Sequence, residues 1–173
     1  MDEEQAKAFA GLVWCPASNY YLFGKTASID LLKKRTTILF GTDSTLTAGW
    51  NAWEHFRMAL KNEMVSQDEL MDMLTMNAVN VFRFHDQGKI SQGNIADLLI
   101  IPGGNIFDKN PADILMVIKN GEVQLAGSSM ITTMNGISTK IQVDDSVKYV
   151  KGEITELING IKSALPGSFK HKL

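Results

Sequence analysis

Two short apolar runs, Leu12–Cys15 (LVWC) and Thr36–Phe40 (TTILF), set the strongest limit on what this chain can fold into. Each is apolar on both faces instead of alternating with polar residues, which is the pattern of a buried strand. The first is stopped by Pro16 and the second by Gly41-Thr42-Asp43-Ser44. Helix-forming sequence lies between them at 28–34 (SIDLLKK), with Ser28 as a cap, so the pair reads as βα units of a parallel sheet. Residues 17–24 read as a loop. The first ten residues (MDEEQAKAFA) read as a helix whose opening acids suit its dipole.

A helical block follows. Residues 50–60 carry Trp50, Trp53, Phe56 or Arg57, and Leu60 at helical spacing. Ser66 and Glu69 form a capping box that opens a long helix to about Phe84, with Leu70, Met73, Leu74, Asn77, Ala78, Val81 and Phe82 in one stripe. The grammar then changes. Glycines punctuate short strands at 96–101 and 113–119, and Asn120-Gly121 joins the second to 122–126, a strong hairpin signal. Residues 128–150 read as further strands and turns, 153–165 as a terminal amphipathic helix, and the basic tail GSFKHKL as frayed. The predicted fold is α/β and then β, with a boundary near residue 86.

Composition excludes several classes. Seventeen basic against 19 acidic residues give a net charge of −2, so no general attraction to nucleic acid or to an anionic membrane is expected. One cysteine, Cys15, cannot form an internal disulfide. No apolar run approaches the ~18 residues of a membrane span, and the acidic start is unlike a signal peptide. A cytoplasmic protein is expected.

Asp43 is the first candidate for chemistry, because functional groups in parallel α/β sheets gather at the carboxyl ends of strands. A carboxylate there can bind a divalent metal and take a proton from water, or simply cap the turn. Ser18 and Asn19 follow the other strand end and can bind a polar substrate or satisfy the loop's own backbone. Cys15 has no histidine nearby in sequence to activate it and reads as a small buried thiol. His55, His85 and His171 share no metal-binding spacing, and HxH, HExxH, CxxC, Walker and GxGxxG patterns are absent. The methionines at 58, 64, 71, 73 and 76 read as core filling.

Taken together, VWCPASNYYLFGKT, ILFGTDS, SQDELMDMLTMNAVNVF, GKISQGNIADLLII and VIKNGEVQLAG resemble the C-terminal part of the amidohydrolase superfamily. The resemblance covers about residues 5–127 and is nearest to the cytosine, guanine and S-adenosylhomocysteine deaminase and chlorohydrolase-like branch. It implies a metal-dependent (β/α)8 barrel with a small β-sandwich. LVWC would be barrel strand seven and TTILF strand eight. Residues 1–86 would be the C-terminal portion of that barrel, and 87–173 a partial sandwich with a terminal helix. Asp43 would ligate the catalytic metal, zinc or iron, and shuttle protons. Ser18 and Asn19 would lie on the substrate side. Residues 128–173 carry no matching motif.

The paired histidines of the family's first strand, its lysine or histidine, and its later histidines have no counterparts here. A barrel of this type needs about 250 residues, and two parallel strands cannot close one. The resemblance therefore implies a fragment of a hydrolase acting on C–N bonds of a small molecule, inactive alone and holding no metal tightly. The alternatives are a split-enzyme subunit joined by a missing N-terminal half, or a non-catalytic domain that self-associates through open sheet edges.

Overall fold

The computed structural model describes residues 3–131 and 137–164. It divides into two compact units, Met1–Asn94 and Ile95–Leu173. The tail GSFKHKL, with His171, lies outside the described residues.

In the first unit, α1 (Glu3–Ala6) leads to β1 (Gly11–Trp14), α2 (Pro16–Phe23), α3 (Ile29–Leu32) and β2 (Thr37–Phe40). Next come α4 (Ala52–Lys61), α5 (Gln67–Leu74) and α6 (Met76–Phe82). β1 and β2 pair in parallel, with Gly11 opposite Thr37 and Trp14 opposite Phe40. Trp14, Ile38 and Leu39 from the strands and Ile29, Leu32, Trp53, Leu70 and Met73 from the helices are buried together. A run of edge-on rings, Trp14–Phe40 at 6.3 Å, Phe40–Phe56 at 5.4 Å and Phe56–Trp53 at 6.1 Å, links the strand pair to α4.

Four expectations from sequence are corrected. The opening helix is a single turn, because the chain must straighten into β1 and the Thr36 hydroxyl holds the Phe9 carbonyl at 2.9 Å. Residues 17–23 are helical, not a loop. Pro16 begins α2, since a proline in the first turn sacrifices no helical hydrogen bond, and Gly24 closes it in the left-handed region (φ 66°). The long helix to Phe84 is broken at Thr75 (φ −127°, ψ −90°), whose hydroxyl bonds back to the Met71 carbonyl at 2.7 Å. β1 is not covered on both faces, and Val13 is 58% exposed.

The strand edges differ. Gly41 donates its N–H to the Trp14 carbonyl at 2.9 Å, so by strand alternation Ile38 and Phe40 turn their backbone groups away from β1. The Ile38 carbonyl on that outer edge accepts from the Asn77 side chain at 2.8 Å. Gly11 and Val13 likewise face away from β2 on the outer edge of β1.

The second unit is a five-stranded antiparallel sheet in the order β3-β4-β5-β7-β6, built from β3 (Leu98–Ile100), β4 (Met116–Lys119), β5 (Glu122–Gly127), β6 (Ile137–Val143) and β7 (Ser146–Lys151). The expected strand over 113–119 is shorter, because Pro111–Asp113 forms a 3₁₀ turn ahead of β4. Asn120 (φ 52°) and Gly121 (φ 77°) make the two-residue turn between β4 and β5. Both residues are left-handed, as a type I′ hairpin requires. The Asp97 carboxylate receives the Asn120 N–H at 2.6 Å and pairs with Lys119. Lys148 on β7 is buried and donates to the carbonyls of Ala112 (2.5 Å) and Ile114 (2.6 Å), which ties the 3₁₀ turn to the sheet. The unit ends in α7 (Ile154–Ala164). Among the described residues this unit has one sheet layer.

Candidate functional site

A parallel pair brings both strand ends to one side, so the segments after Trp14 and Phe40 emerge together. Gly41 allows them to lie close. A Cβ placed on it would fall 2.6 Å from Val13 Cγ1 and 2.8 Å from Cys15 Sγ. Asp43, two residues on, is exposed and takes a left-handed backbone (φ 59°), rare for any residue but glycine and most accessible to Asp and Asn. The Cys15 thiol beside it is half-buried, and its pKa is raised. Burial is the main cause and the Asp43 carboxylate adds to it, partly offset by the Asp43 backbone N–H facing the sulfur. This places Cys15 as an unactivated thiol in contact with the Asp43 segment.

Ser18 and Asn19 lie in the first turns of α2. Ser18 is 1% exposed and its hydroxyl sits 2.6 Å from that of Thr47. Asn19 donates to the Thr26 hydroxyl at 3.1 Å, and Trp14 Nε1 donates to the same oxygen at 2.7 Å. His55 on α4 is 2% exposed, and its Nε2 lies 2.7 Å from the Gly49 carbonyl. A carbonyl can only accept, so Nε2 carries a hydrogen, and Nδ1 is buried with no hydrogen-bond partner among the described residues.

The donor set does not fit a metal ion by itself. Among the described residues no three of His, Cys, Asp and Glu are grouped so that they could hold one. Near Asp43 the candidate donor is a thiol with a raised pKa, and the nearest histidine in sequence is committed to Gly49. An open cleft of about 540 Å³ lies elsewhere, at the start of β2 between Lys34, Thr36 and Asp72. On its wall the Lys33 ammonium is already held by Glu69 (2.6 Å) and the Met64 carbonyl (3.0 Å). Among the described residues no helix is long and apolar enough to cross a membrane.

Sequence reasoning missed Thr47, Thr26 and the inward placement of His55. Thr47 and Thr26 belong to no motif, and only the fold brings them to Ser18 and Asn19.

A sequence model of the amidohydrolase family matches residues 3–124. The chain is 23% identical to 5-methylthioadenosine/S-adenosylhomocysteine deaminase of Caldicellulosiruptor saccharolyticus, in a match covering 69% of this chain and 33% of that protein. Its fold is similar to the crystal structure of 5-methylcytosine deaminase from Klebsiella pneumoniae liganded with phosphonocytosine. That likeness has a TM-score of 0.51 and 19% identity, and covers 65% of this chain and 33% of the other. The chain thus matches about a third of the length of each.

Proposed function

The chain belongs to the amidohydrolase family, and from that premise we propose that it is the C-terminal portion of a hydrolase acting on non-peptide C–N bonds, deaminase-like in chemistry. The observation that carries the proposal is the position of Asp43, just past the end of β2 and beside the matching end of β1. In this reading residues 1–86 contribute the last part of a barrel and 87–173 a small sheet domain. Ser18 and Asn19 belong to the substrate side of the barrel end.

Asp43 carries the proton. Water adds to the carbon that bears the nitrogen, and its proton passes to the Asp43 carboxylate. The C–N bond then breaks and the nitrogen leaves with that proton. The family's divalent metal, zinc or iron by resemblance, would need donors beyond those described here. The chain is therefore inactive alone, and the proposed partner is a polypeptide that supplies the missing strands and histidines.

The test is to express this chain with whatever coding sequence lies immediately upstream, joined or separate, and to measure ammonia release from amino-heterocycles. Release should require the upstream sequence and fall by about 10²–10⁴-fold in Asp43→Asn, the usual worth of a positioned acid–base group. Turnover by the chain alone, or an Asp43→Asn enzyme close to wild type, would overturn the proposal. The exposed edge and face of β1 at Val13 favour a second reading, a split-enzyme or non-catalytic subunit that assembles through that edge.

A further inference from the structure

Three buried polar or charged side chains are present among the described residues: Ser18, His55 and Lys148. Two of them, Ser18 and His55, lie in the first unit. They come from different helices, α2 and α4, and both reach the segment that carries Asp43 out of β2. Burying a hydroxyl or an imidazole costs free energy unless it is hydrogen-bonded. Both groups meet that cost on the same short loop.

The hydrogen count fixes the direction of the first contact. Thr47 Oγ1 has a single hydrogen and donates it to the Ser44 carbonyl at 3.1 Å. Ser18, 2.6 Å from Thr47 Oγ1, must therefore be the donor between the two hydroxyls. The Ser44 carbonyl also accepts the N–H groups of Thr47 (3.0 Å) and Ala48 (3.1 Å), and the Ser44 hydroxyl accepts the N–H of Leu46 (3.1 Å). Ser44 is thus held by three successive residues, immediately after the left-handed Asp43. Such a conformation persists only where its surroundings over-determine it. At the far end of the loop, His55 grips the Gly49 carbonyl at 2.7 Å.

We propose that Thr47 is a positioning residue for Asp43, fixing the peptide after it through a clasp with Ser18, while His55 anchors the other end of the loop. This deepens the reading of Asp43 as proton carrier and rests on it. Ser18 acts on the substrate side through the loop it holds.

Amide hydrogen exchange of the 173-residue chain tests the clasp without any assumption about catalysis. The reporters are the amides of Leu46, Thr47 and Ala48, which bond to Ser44, with Leu39 and Trp14 as controls. Thr47→Val keeps the side-chain shape and removes the hydroxyl with its bonds to Ser18 and to the Ser44 carbonyl, and should speed exchange at the reporters by at least about tenfold, the effect of losing one such bond. Thr47→Ser should restore slow exchange. Ser18→Ala removes only the link between α2 and the loop and should speed exchange less than Thr47→Val, and the double variant should add little beyond Thr47→Val, because that link is already broken there. His55→Phe should loosen the loop near Gly49, and His55→Gln should restore it. Reporter amides that exchange at the wild-type rate in Thr47→Val would overturn the clasp. In the active assembly Thr47→Val should lower kcat with little change in KM. If the reporters loosen but Asp43→Asn leaves turnover intact, the clasp stands and the proton-carrier reading fails.

Discussion

Gly41→Ala tests the packing that brings the two strand ends together. The added Cβ would meet Val13 Cγ1 at 2.6 Å and Cys15 Sγ at 2.8 Å, both inside van der Waals contact. Val13 is β-branched and stiff at χ1, so relief must come from backbone shifts that spread β1 and β2. Overpacking of this kind costs about 1–3 kcal/mol. With a urea dependence near 1 kcal/mol per molar for a unit of this size, the midpoint should fall by about 1–3 M. The three tryptophans, Trp14, Trp50 and Trp53, all lie in the first unit, so their fluorescence follows its unfolding alone. Val13 is 58% exposed, and Val13→Ala should cost well under 1 kcal/mol alone. In that background Gly41→Ala should recover a large share of its loss, because the closer of the two clashing atoms is gone. A Gly41→Ala chain that melts like wild type, or a loss that Val13→Ala does not reduce, would refute the close approach as the reason for glycine.

Glu69→Ala removes the carboxylate that accepts the Ser66 N–H in the capping box of α5 and the partner of Lys33, and should destabilise the first unit by about 1 kcal/mol, whereas Glu69→Gln should keep the box and cost less. The Lys33 hydrogen bond chiefly, and the Ser66 N–H next, hold the Glu69 carboxyl below its ordinary value. The stability it contributes is therefore complete above the ordinary glutamate range and fades as pH falls through the lower folded value. A urea series from pH 6 to 3 should show this pH dependence reduced in Glu69→Ala. Lys148→Met leaves the Ala112 and Ile114 carbonyls without their donor and should cost the second unit about 1–3 kcal/mol, read from exchange of β5 and β7 amides. Burial holds Lys148 below the ordinary lysine range, with Asp113 opposing the shift. The unfolded chain thus holds a proton that the folded chain releases, and stability should rise with pH through that window in wild type and stay flat in Lys148→Met.

The parts of the fold legible in the sequence are those fixed by local chemistry. Ser66 and Glu69 form the reciprocal cap at 3.2 and 2.8 Å, and Asn120-Gly121 takes the two left-handed conformations that only a few residue types accept. The parallel pairing of LVW with TILF follows from their patterning and the helices between them. Pro16 misleads because a proline that stops a strand can equally start a helix. The break at Thr75 is hidden because residues 67–82 keep an unbroken helical stripe, while the competing bonds, Thr75 to Met71 and Asn77 to Ile38, depend on side-chain direction. In the candidate site, the strand-end position of Asp43 is readable from spacing. Thr47 and His55 are not, because their roles depend on which carbonyl or hydroxyl the fold sets opposite them.

The unequal edges of the β1–β2 pair set what a further strand would meet on either side. A strand laid along β1 meets the outward-turned backbone of Gly11 and Val13. A strand laid along β2 meets an edge on which the Ile38 carbonyl already has a donor in the Asn77 side chain. In the proposed full barrel strands are added on both sides, and the Asn77 amide is then a placeholder that an incoming strand displaces or works around.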